Sequence, residues 1–154
     1  MSGDFDQRLE ELGLSLPDAP APAANYVPYV VVGNTVYVSG QISANAGGMI
    51  TGKVGADLTA EEGAGAAQAC ALALLAQAKK ACGGDISRLK RVVKLTGFVN
   101  STPEFGDQPK VINGASDLLA ALLGDAGRHA RSAVSAGALP FNVAVEIEAI
   151  FEIE

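Results

Sequence analysis

The sequence predicts a single α+β domain in which a mixed β-sheet carries two helices on one face. The length of 154 residues suits one compact domain, and an apolar content of 49% is enough to build one hydrophobic core. Five segments have the residue pattern of strands and two have that of long helices, in the order ββαβαββ. A sheet with helices packed on it is the expected arrangement for such an order.

Net charge excludes one broad class of function. The formal charge of −6 leaves no basic surface of the kind that duplex-binding proteins use to displace counterions. The one basic cluster, Arg88–Lys94, has a spacing that is more typical of a solvated strand face. No nucleic-acid partner is therefore expected.

Cysteine usage and the N-terminus predict a cytoplasmic protein without a cysteine-based metal or redox site. Cys70 and Cys82 form no CxxC pair, and on one helix they would lie about 18 Å apart, too far for a disulfide. Two buried free thiols suit a reducing compartment. The acidic start "MSGDFDQRLEEL" is unlike a signal peptide, and no apolar run is long enough to span a bilayer.

Residues 1–20 are predicted to be an extension of the domain, made of a helix and a linker. Asp4–Gly13 reads as a short amphipathic helix in which Phe5, Leu9 and Leu12 share one side. The following stretch "LPDAPAPAAN" is rich in proline and alanine, so it is expected to run extended over the surface.

A β-hairpin is predicted after this linker. Tyr29–Val32 and Thr35–Ser39 are β-branched runs that flank Gly33–Asn34, a pair suited to a tight turn. The glycine-rich stretch "ANAGGMITGKVGADLT" follows, and it matches neither a P-loop nor a GxGxxG fingerprint. We interpret it as a loop that lines a pocket.

The main helix is predicted to run from Thr59 to Cys82. Thr59 and Glu62 have the spacing of a capping box, and Gly83–Gly84 ends the helix. One side of it is a stripe of small residues, which allows close packing on a sheet: Ala64, Ala67, Ala71, Leu75, Ala78 and Cys82.

The next strand is predicted over Leu89–Asn100, and a second helix follows over Pro109–Leu123. Strict alternation along the strand would direct Val93, Leu95 and Val99 toward the helices. It would direct the others to the opposite face: Val92, Lys94, Thr96, Phe98 and Asn100.

The last two strands are predicted at Ser132–Ala136 and Val143–Ile153. Alternation in the final strand directs Glu146 to the sheet face away from the helices. If the two strands pair as a hairpin around residues 137–142, Arg131 and Glu146 reach one pocket. A surface ion pair worth ~0–1 kcal/mol is one interpretation. The other is a guanidinium that binds a carboxylate ligand beside a carboxylate that moves a proton.

The sheet face without helices predicts self-association. It carries Lys94, Thr96, Phe98 and Glu146, a mixture too apolar for water alone and too polar for the core of a monomer. Such a face is expected to be covered by further copies of the chain.

The C-terminal stretch "ARSAVSAGALPFNVAVEIEAI" resembles the signature of the RidA/YjgF family of enamine/imine deaminases. Arg131–Ser132, Leu139–Pro140 and Glu146–Ala149 stand at the spacing of that signature. "GNTVYVSGQI", "VKLTGFV" and Asn113 in "VINGAS" are similar to further elements of the family, so the resemblance runs from Ala21 onward.

This resemblance implies a chorismate-mutase-like fold and a homotrimer with ligand clefts between subunits. It implies that Arg131 binds the carboxylate of a 2-aminoacrylate-type enamine or imine and that Glu146 positions the water that replaces nitrogen. It implies no metal and no organic cofactor. The substrate-binding positions carried over by the resemblance are Tyr26, Ser39, Gly40, Phe98, Asn113 and Ala133.

Departures from the family pattern predict a divergent subgroup. His129 stands where the family usually has proline, Ala133 stands where it often has cysteine, and residues 1–20 add a helix. His129 is the single histidine, and a structural or solvated role is favoured for it. Glu148 would lie about 7 Å from Glu146 on the same strand face, where we interpret it as an exposed residue of an edge strand.

Three function classes agree with these residues. The first is hydrolysis of enamine or imine intermediates to 2-keto acids and ammonia. The second is a non-catalytic trimer that binds small carboxylate metabolites as a sensor or chaperone-like module. The third, an endoribonuclease, is disfavoured by the charge of −6.

Overall fold

A computed structural model of the chain describes residues 2–154. Its helices and strands follow in chain order: α1 (Ser2–Glu11), β1 (Tyr29–Val32), β2 (Thr35–Ile42), β3 (Ala44–Asn45), β4 (Gly48–Met49), α2 (Ala60–Ala81), β5 (Leu89–Asn100), α3 (Gln108–Leu123), β6 (Ala130–Ala136) and β7 (Val145–Ile153). The main elements agree with the predicted order, and the strands β3 and β4 form a small hairpin inside the glycine-rich stretch.

The five-stranded sheet has the order β1-β2-β7-β5-β6. All neighbouring strands are antiparallel except β5 and β6, which are parallel. Helices α2 and α3 pack against each other and cover one sheet face, so the predicted mixed sheet with two helices on one face is confirmed. The other face carries no helix within residues 2–154.

The predicted hairpin between the last two strands is wrong. The chain returns through α3 after β5, so β6 lies parallel to β5 at the sheet edge. It then crosses to the other side of β5, where β7 pairs with both β5 and β2. Strand β7 is therefore central, and the interpretation of Glu148 as a residue of an edge strand is wrong as well.

A bulge in β5 changes which of its residues face the helices. The pairing register with β7 shifts between Val92 and Lys94. Val92 is consequently buried and Val93 is exposed, the reverse of what strict alternation predicts. Leu95 and Val99 are buried beyond the bulge, as expected.

The capping box of α2 is present. Thr59 Oγ1 accepts a hydrogen bond from the Glu62 amide at 3.1 Å, and Glu62 Oε1 accepts one from the Thr59 amide at 3.0 Å. The predicted stripe of small residues is buried apart from Ala64, which is partly exposed. A Cβ at Gly114 of α3 would collide with the Ala64 carbonyl, so glycine there lets the two helices approach closely.

The N-terminal helix α1 packs on the domain through Phe5 and Leu9, which are buried. Arg8 Nη1 adds a hydrogen bond of 3.1 Å to the carbonyl of Leu122 in α3. The expectation that Leu12 joins the apolar side is wrong, because the helix ends at Glu11 and Leu12 lies in the following turn.

Both cysteines are buried and free, as their spacing predicts. Burial raises the pKa of the Cys70 thiol and that of the Cys82 thiol, so both remain protonated at neutral pH. Among residues 2–154, no helix combines the length and the apolar character required to cross a membrane.

Candidate functional site

Five of the eight predicted site residues lie in two separate cavities of the chain. The first, which we call the glutamate cavity, has a volume of about 530 Å³. It contains three of the predicted residues, Tyr26, Gly40 and Glu146. The rest of its lining is mainly apolar: Pro20, Ala21, Pro22, Ala23, Ala24, Pro28, Gln41, Ile42, Ala44, Met49, Pro140 and Phe141.

Glu146 enters this cavity from the central strand β7, on the face without helices. It lies level with Ile42 of β2 on one side and with Phe98 of β5 on the other. The register between β2 and β7 shifts between Val38 and Gln41, and Gly40 lies within that irregularity. A Cβ at Gly40 would collide with the Glu146 carboxylate, so the absence of a side chain makes room for it.

The surroundings of Glu146 favour its protonated form. Partial burial raises the pKa of this carboxyl above its ordinary value, and the nearby charge of Glu148 raises it further. A raised pKa makes the carboxylate a stronger base than that of an ordinary glutamate. Glu146 is therefore suited to proton transfer.

The linker before β1 forms one wall of the glutamate cavity, and buried amides hold it in place. Gln77 of α2 donates through Nε2 to the Pro20 carbonyl at 2.8 Å and to Gln41 Oε1 at 3.4 Å. The Tyr26 hydroxyl accepts a hydrogen bond of 3.4 Å from the Ala23 amide. The glycine-rich stretch contributes Met49 and its neighbour Ala44, which confirms its predicted place in a pocket wall.

The turn before β7 adds an aromatic side chain that the sequence pattern did not single out. Phe141 lines the cavity although 60% of its surface is exposed, and both Phe141 and Asn142 have a φ of 58°. Asn100 supports this left-handed turn, since its Nδ2 donates to Asn142 Oδ1 and to the Val143 carbonyl, each at 3.1 Å.

The second cavity, which we call the arginine cavity, has a volume of about 230 Å³ and lies between α3 and β6. It contains the predicted residues Arg131 and Asn113. The other lining residues come from α3 and from the chain leading into β6: Ser116, Asp117, Ala120, Gly127, Arg128 and His129.

Hydrogen bonds to α3 hold the guanidinium of Arg131. Its Nη1 donates to Ser116 Oγ at 3.0 Å, and its Nη2 donates to the Pro109 carbonyl at 3.1 Å. Ser116 Oγ also lies 2.9 Å from His129 Nε2, and His129 Nδ1 lies 2.7 Å from the Gly127 carbonyl. Ser116 and His129 are thus part of the arginine's environment, although no sequence pattern joins them.

Three other predicted residues lie outside both cavity linings. Ser39 Oγ donates a hydrogen bond of 2.7 Å to the Val27 carbonyl, which attaches the segment before β1 to β2. Ala133 is level with Gly97 and partly buried against the core. Phe98 lies on the open face between Glu146 and Val134.

Arg131 and Glu146 do not meet in one chain. Val134 of β6 is level with Phe98, and Phe98 is level with Glu146, so these three share the open face. Arg131 stands three residues before Val134 and level with the buried Leu95, so its side chain leaves the opposite face, toward α3. The shared pocket expected from a hairpin is therefore not formed.

The chain is similar to several known proteins. The family model described as "YjgF/chorismate_mutase-like, putative endoribonuclease" matches residues 6–152. The protein TCP17 of Trypanosoma cruzi is 51% identical over 154 residues, covering 99% of this chain and 96% of TCP17. A 2-iminobutanoate/2-iminopropanoate deaminase of Dermatophagoides farinae is 32% identical over 143 residues, covering 92% and 95% of the two chains.

A solved structure is similar over nearly the whole chain. It is that of Atu1372, described as a protein with unknown function from Agrobacterium tumefaciens. The sequences are 51% identical, the TM-score is 0.93, and the alignment covers 99% of this chain and 94% of the other. The match includes the N-terminal helix region, since so little of either chain lies outside it.

Proposed function

This chain belongs to the YjgF/chorismate-mutase-like family, and we propose that it hydrolyses 2-aminoacrylate-type enamines and imines to 2-keto acids and ammonia. The observation that carries the proposal is the pair of complementary half-sites at different places on one chain. A guanidinium able to bind a carboxylate lies in the arginine cavity. A carboxyl group with a raised pKa lies in the glutamate cavity.

The complete site is formed between two copies of the chain. A contact that joins two different surfaces of identical chains repeats from copy to copy and closes into a ring when the rotation allows it. The open sheet face supports such an assembly, because Val30, Tyr37 and Val134 on it are 45–50% exposed in the single chain. We therefore propose an assembly in which Arg131 of one copy faces Glu146 of the next, and we propose three copies because the family resemblance implies a homotrimer.

Substrate binding depends on Arg131 in this arrangement. Its planar guanidinium holds the substrate carboxylate through two parallel hydrogen bonds, which also fixes the position of the neighbouring imine carbon. The apolar wall of the glutamate cavity receives the substrate side chain and excludes bulk water.

Glu146 supplies the proton transfers. For an enamine, the protonated carboxyl first gives a proton to the terminal carbon, which converts the enamine into a protonated imine. The carboxylate then accepts a proton from water as the water oxygen bonds to the imine carbon. The same proton passes to nitrogen. The hydroxyl group of the adduct then gives its proton back to the Glu146 carboxylate as the carbon–nitrogen bond breaks, so ammonia leaves, the carbon–oxygen double bond of the 2-keto acid forms, and Glu146 is protonated again.

Mixing two inactive variants tests both the residues and the shared site. Arg131→Ala and Glu146→Gln are each expected to release little ammonia from 2-aminoacrylate produced by a serine dehydratase. Equal amounts, unfolded and refolded together, should regain about a quarter of wild-type activity, because a quarter of randomly formed sites combine an intact arginine with an intact glutamate. No recovery in verified mixed oligomers would contradict a site shared between copies.

The Glu146→Gln variant alone separates a deaminase from a protein that only binds small carboxylates. Glutamine keeps the shape of the side chain but cannot act as a base. We expect affinity for 2-ketobutyrate, measured by calorimetry, to remain within a fewfold of wild type while ammonia release is lost. If ammonia release from 2-aminoacrylate is the same with this variant as with wild type, a protein that only binds small carboxylates is favoured instead.

A further inference from the structure

A chain of hydrogen bonds leads from the backbone to the guanidinium of Arg131. The Gly127 carbonyl can only accept, so His129 Nδ1, 2.7 Å away, carries a proton. In the neutral ring Nε2 is then an acceptor, and it receives the Ser116 hydroxyl proton across 2.9 Å. The Ser116 oxygen keeps a lone pair for Arg131 Nη1 at 3.0 Å. Each group in this series of hydrogen bonds can therefore take the donor or acceptor role that its neighbours require.

The start of this chain is fixed by close backbone packing. Gly127 is buried, and a Cβ there would collide with the Leu119 carbonyl of α3. The turn between α3 and β6 can therefore approach the helix only with glycine at this position. The position of the Gly127 carbonyl, which binds His129, is consequently determined by packing against α3.

At the other end of this hydrogen-bond chain, the guanidinium of Arg131 keeps N–H donors for a ligand. Ser116 and the Pro109 carbonyl, both on α3, take one N–H from each terminal nitrogen of Arg131. The guanidinium has five N–H donors. Counting the contacts within residues 2–154, three of them remain for a ligand or a second copy of the protein. Two of these remaining donors are enough to form the planar pair that a carboxylate requires.

Protonation of His129 would make Nε2 a donor and reverse its hydrogen bond with Ser116, and the fold opposes it. Partial burial lowers the pKa of the His129 imidazole, the hydrogen bond to the Gly127 carbonyl acts in the opposite direction, and the positive charge of Arg131 lowers the pKa as well, so that the net shift is downward. The ring is thereby kept neutral at physiological pH, which is the state in which Nε2 accepts from Ser116.

We propose that Ser116 and His129 are positioning residues that orient Arg131 for the carboxylate of its ligand, with His129 acting only through Ser116. The proposal rests on the proposed role of Arg131 in carboxylate binding. It adds that His129, which replaces a proline of the related signature, supports ligand affinity without touching the ligand or the reacting atoms.

Calorimetry with 2-ketobutyrate and steady-state ammonia release test this role together. Ser116→Ala should weaken ligand binding and raise KM by roughly three- to tenfold with little change in kcat, since about one hydrogen bond to the guanidinium is lost. Ser116→Thr keeps the hydroxyl and should restore most of the affinity. Ser135→Ala is the matched control, because it removes a serine hydrogen bond on β6, the strand that carries Arg131, at a place outside the arginine cavity.

The dependence of His129 on Ser116 is tested by a double-mutant cycle. His129→Phe should weaken binding about as much as Ser116→Ala, and the double variant should be no worse than Ser116→Ala alone. Additive losses of affinity would show that His129 acts on the ligand directly, and would overturn the proposal that it acts only through Ser116. Thermal unfolding of each variant beside Ser135→Ala reports any general loss of structure.

An error in the positioning role of Ser116 and His129 can be distinguished from an error in the proposed function. If Arg131→Ala binds 2-ketobutyrate as wild type does, the assignment of the carboxylate site is wrong. If Arg131→Ala loses binding while Ser116→Ala and His129→Phe bind as wild type does, the site stands and the positioning role is wrong.

Discussion

Arg131 and Glu146 point to opposite faces of one sheet, from strands separated by β5. A change of side-chain rotamer cannot join them, because the sheet itself lies between. The two residues can act on one ligand only if a second copy of the chain supplies one of them. The oligomeric state is therefore part of the chemistry that we propose.

A charged residue on the open face should weaken assembly. Val134 is 45% exposed on this face and level with Phe98, so Val134→Lys leaves the single chain's core unchanged. We expect light scattering to find trimers for wild type and smaller species for the variant, with ammonia release falling in parallel. Val31→Lys is the control, since Val31 is equally exposed but pairs with the buried Val36 on the helix face. A stable wild-type monomer at micromolar concentration would contradict the shared site.

Much of this fold could be predicted because its signals are local. The capping box of Thr59 and Glu62 and the alternation around Glu146 each depend on residues a few positions apart. The partner of a strand is decided by contacts distant in sequence, so alternation in β6 could not exclude pairing with β7. The bulge after Val92 likewise depends on the facing strand and leaves no mark in the pattern of β5.

Five of the eight candidate site residues lie in the two cavities, but their division between separate cavities could not be predicted from the sequence. The signature resemblance identified Arg131 and Glu146, and it included Gly40, whose missing side chain accommodates the Glu146 carboxylate. Ser116 and His129 lie on different elements, and their contact depends on how the turn at Gly127 packs against α3. Single-sequence patterns contain no term for such a contact.

Replacing Arg131 by lysine should be nearly as damaging as replacing it by alanine. Lysine keeps the positive charge but cannot form the planar fork that receives two hydrogen bonds from one carboxylate. Since hydrogen bonds to charged groups contribute about 1.5–3 kcal/mol each, we expect affinity for 2-ketobutyrate to fall by about a hundredfold or more in both variants. Calorimetry on the two variants and wild type measures this. Near wild-type affinity of Arg131→Lys would indicate a simple charge attraction instead.

Gly40→Ala should remove activity with little loss of stability. The new Cβ would occupy the space of the Glu146 carboxylate, which is the flexible end of a side chain, so the carboxylate moves and the backbone remains. Ammonia release should fall by at least tenfold while the thermal midpoint stays within a few degrees of wild type. Gly65→Ala is the control, because a Cβ at this position of α2 would meet nothing within 4 Å and alanine favours a helix. An active Gly40→Ala variant would show that the position of this carboxylate is not critical.

The raised pKa of Glu146 should appear in both stability and rate as pH changes. Because the folded chain holds this proton more tightly than the unfolded chain, the folded state binds more protons between the two pKa values. Stability therefore falls as pH rises from the ordinary range of a glutamate through the raised pKa, and the loss is complete above it. Glu146→Gln has no such proton. Urea unfolding at a series of pH values should therefore show the free energy of unfolding of the variant rising relative to that of wild type as pH increases across this window. Over the same window kcat of wild type with 2-aminoacrylate should fall as pH rises, because the protonated carboxyl that gives the first proton to the enamine is lost. A stability difference that is independent of pH would mean that the Glu146 carboxyl has an ordinary pKa and is not held ready for proton transfer.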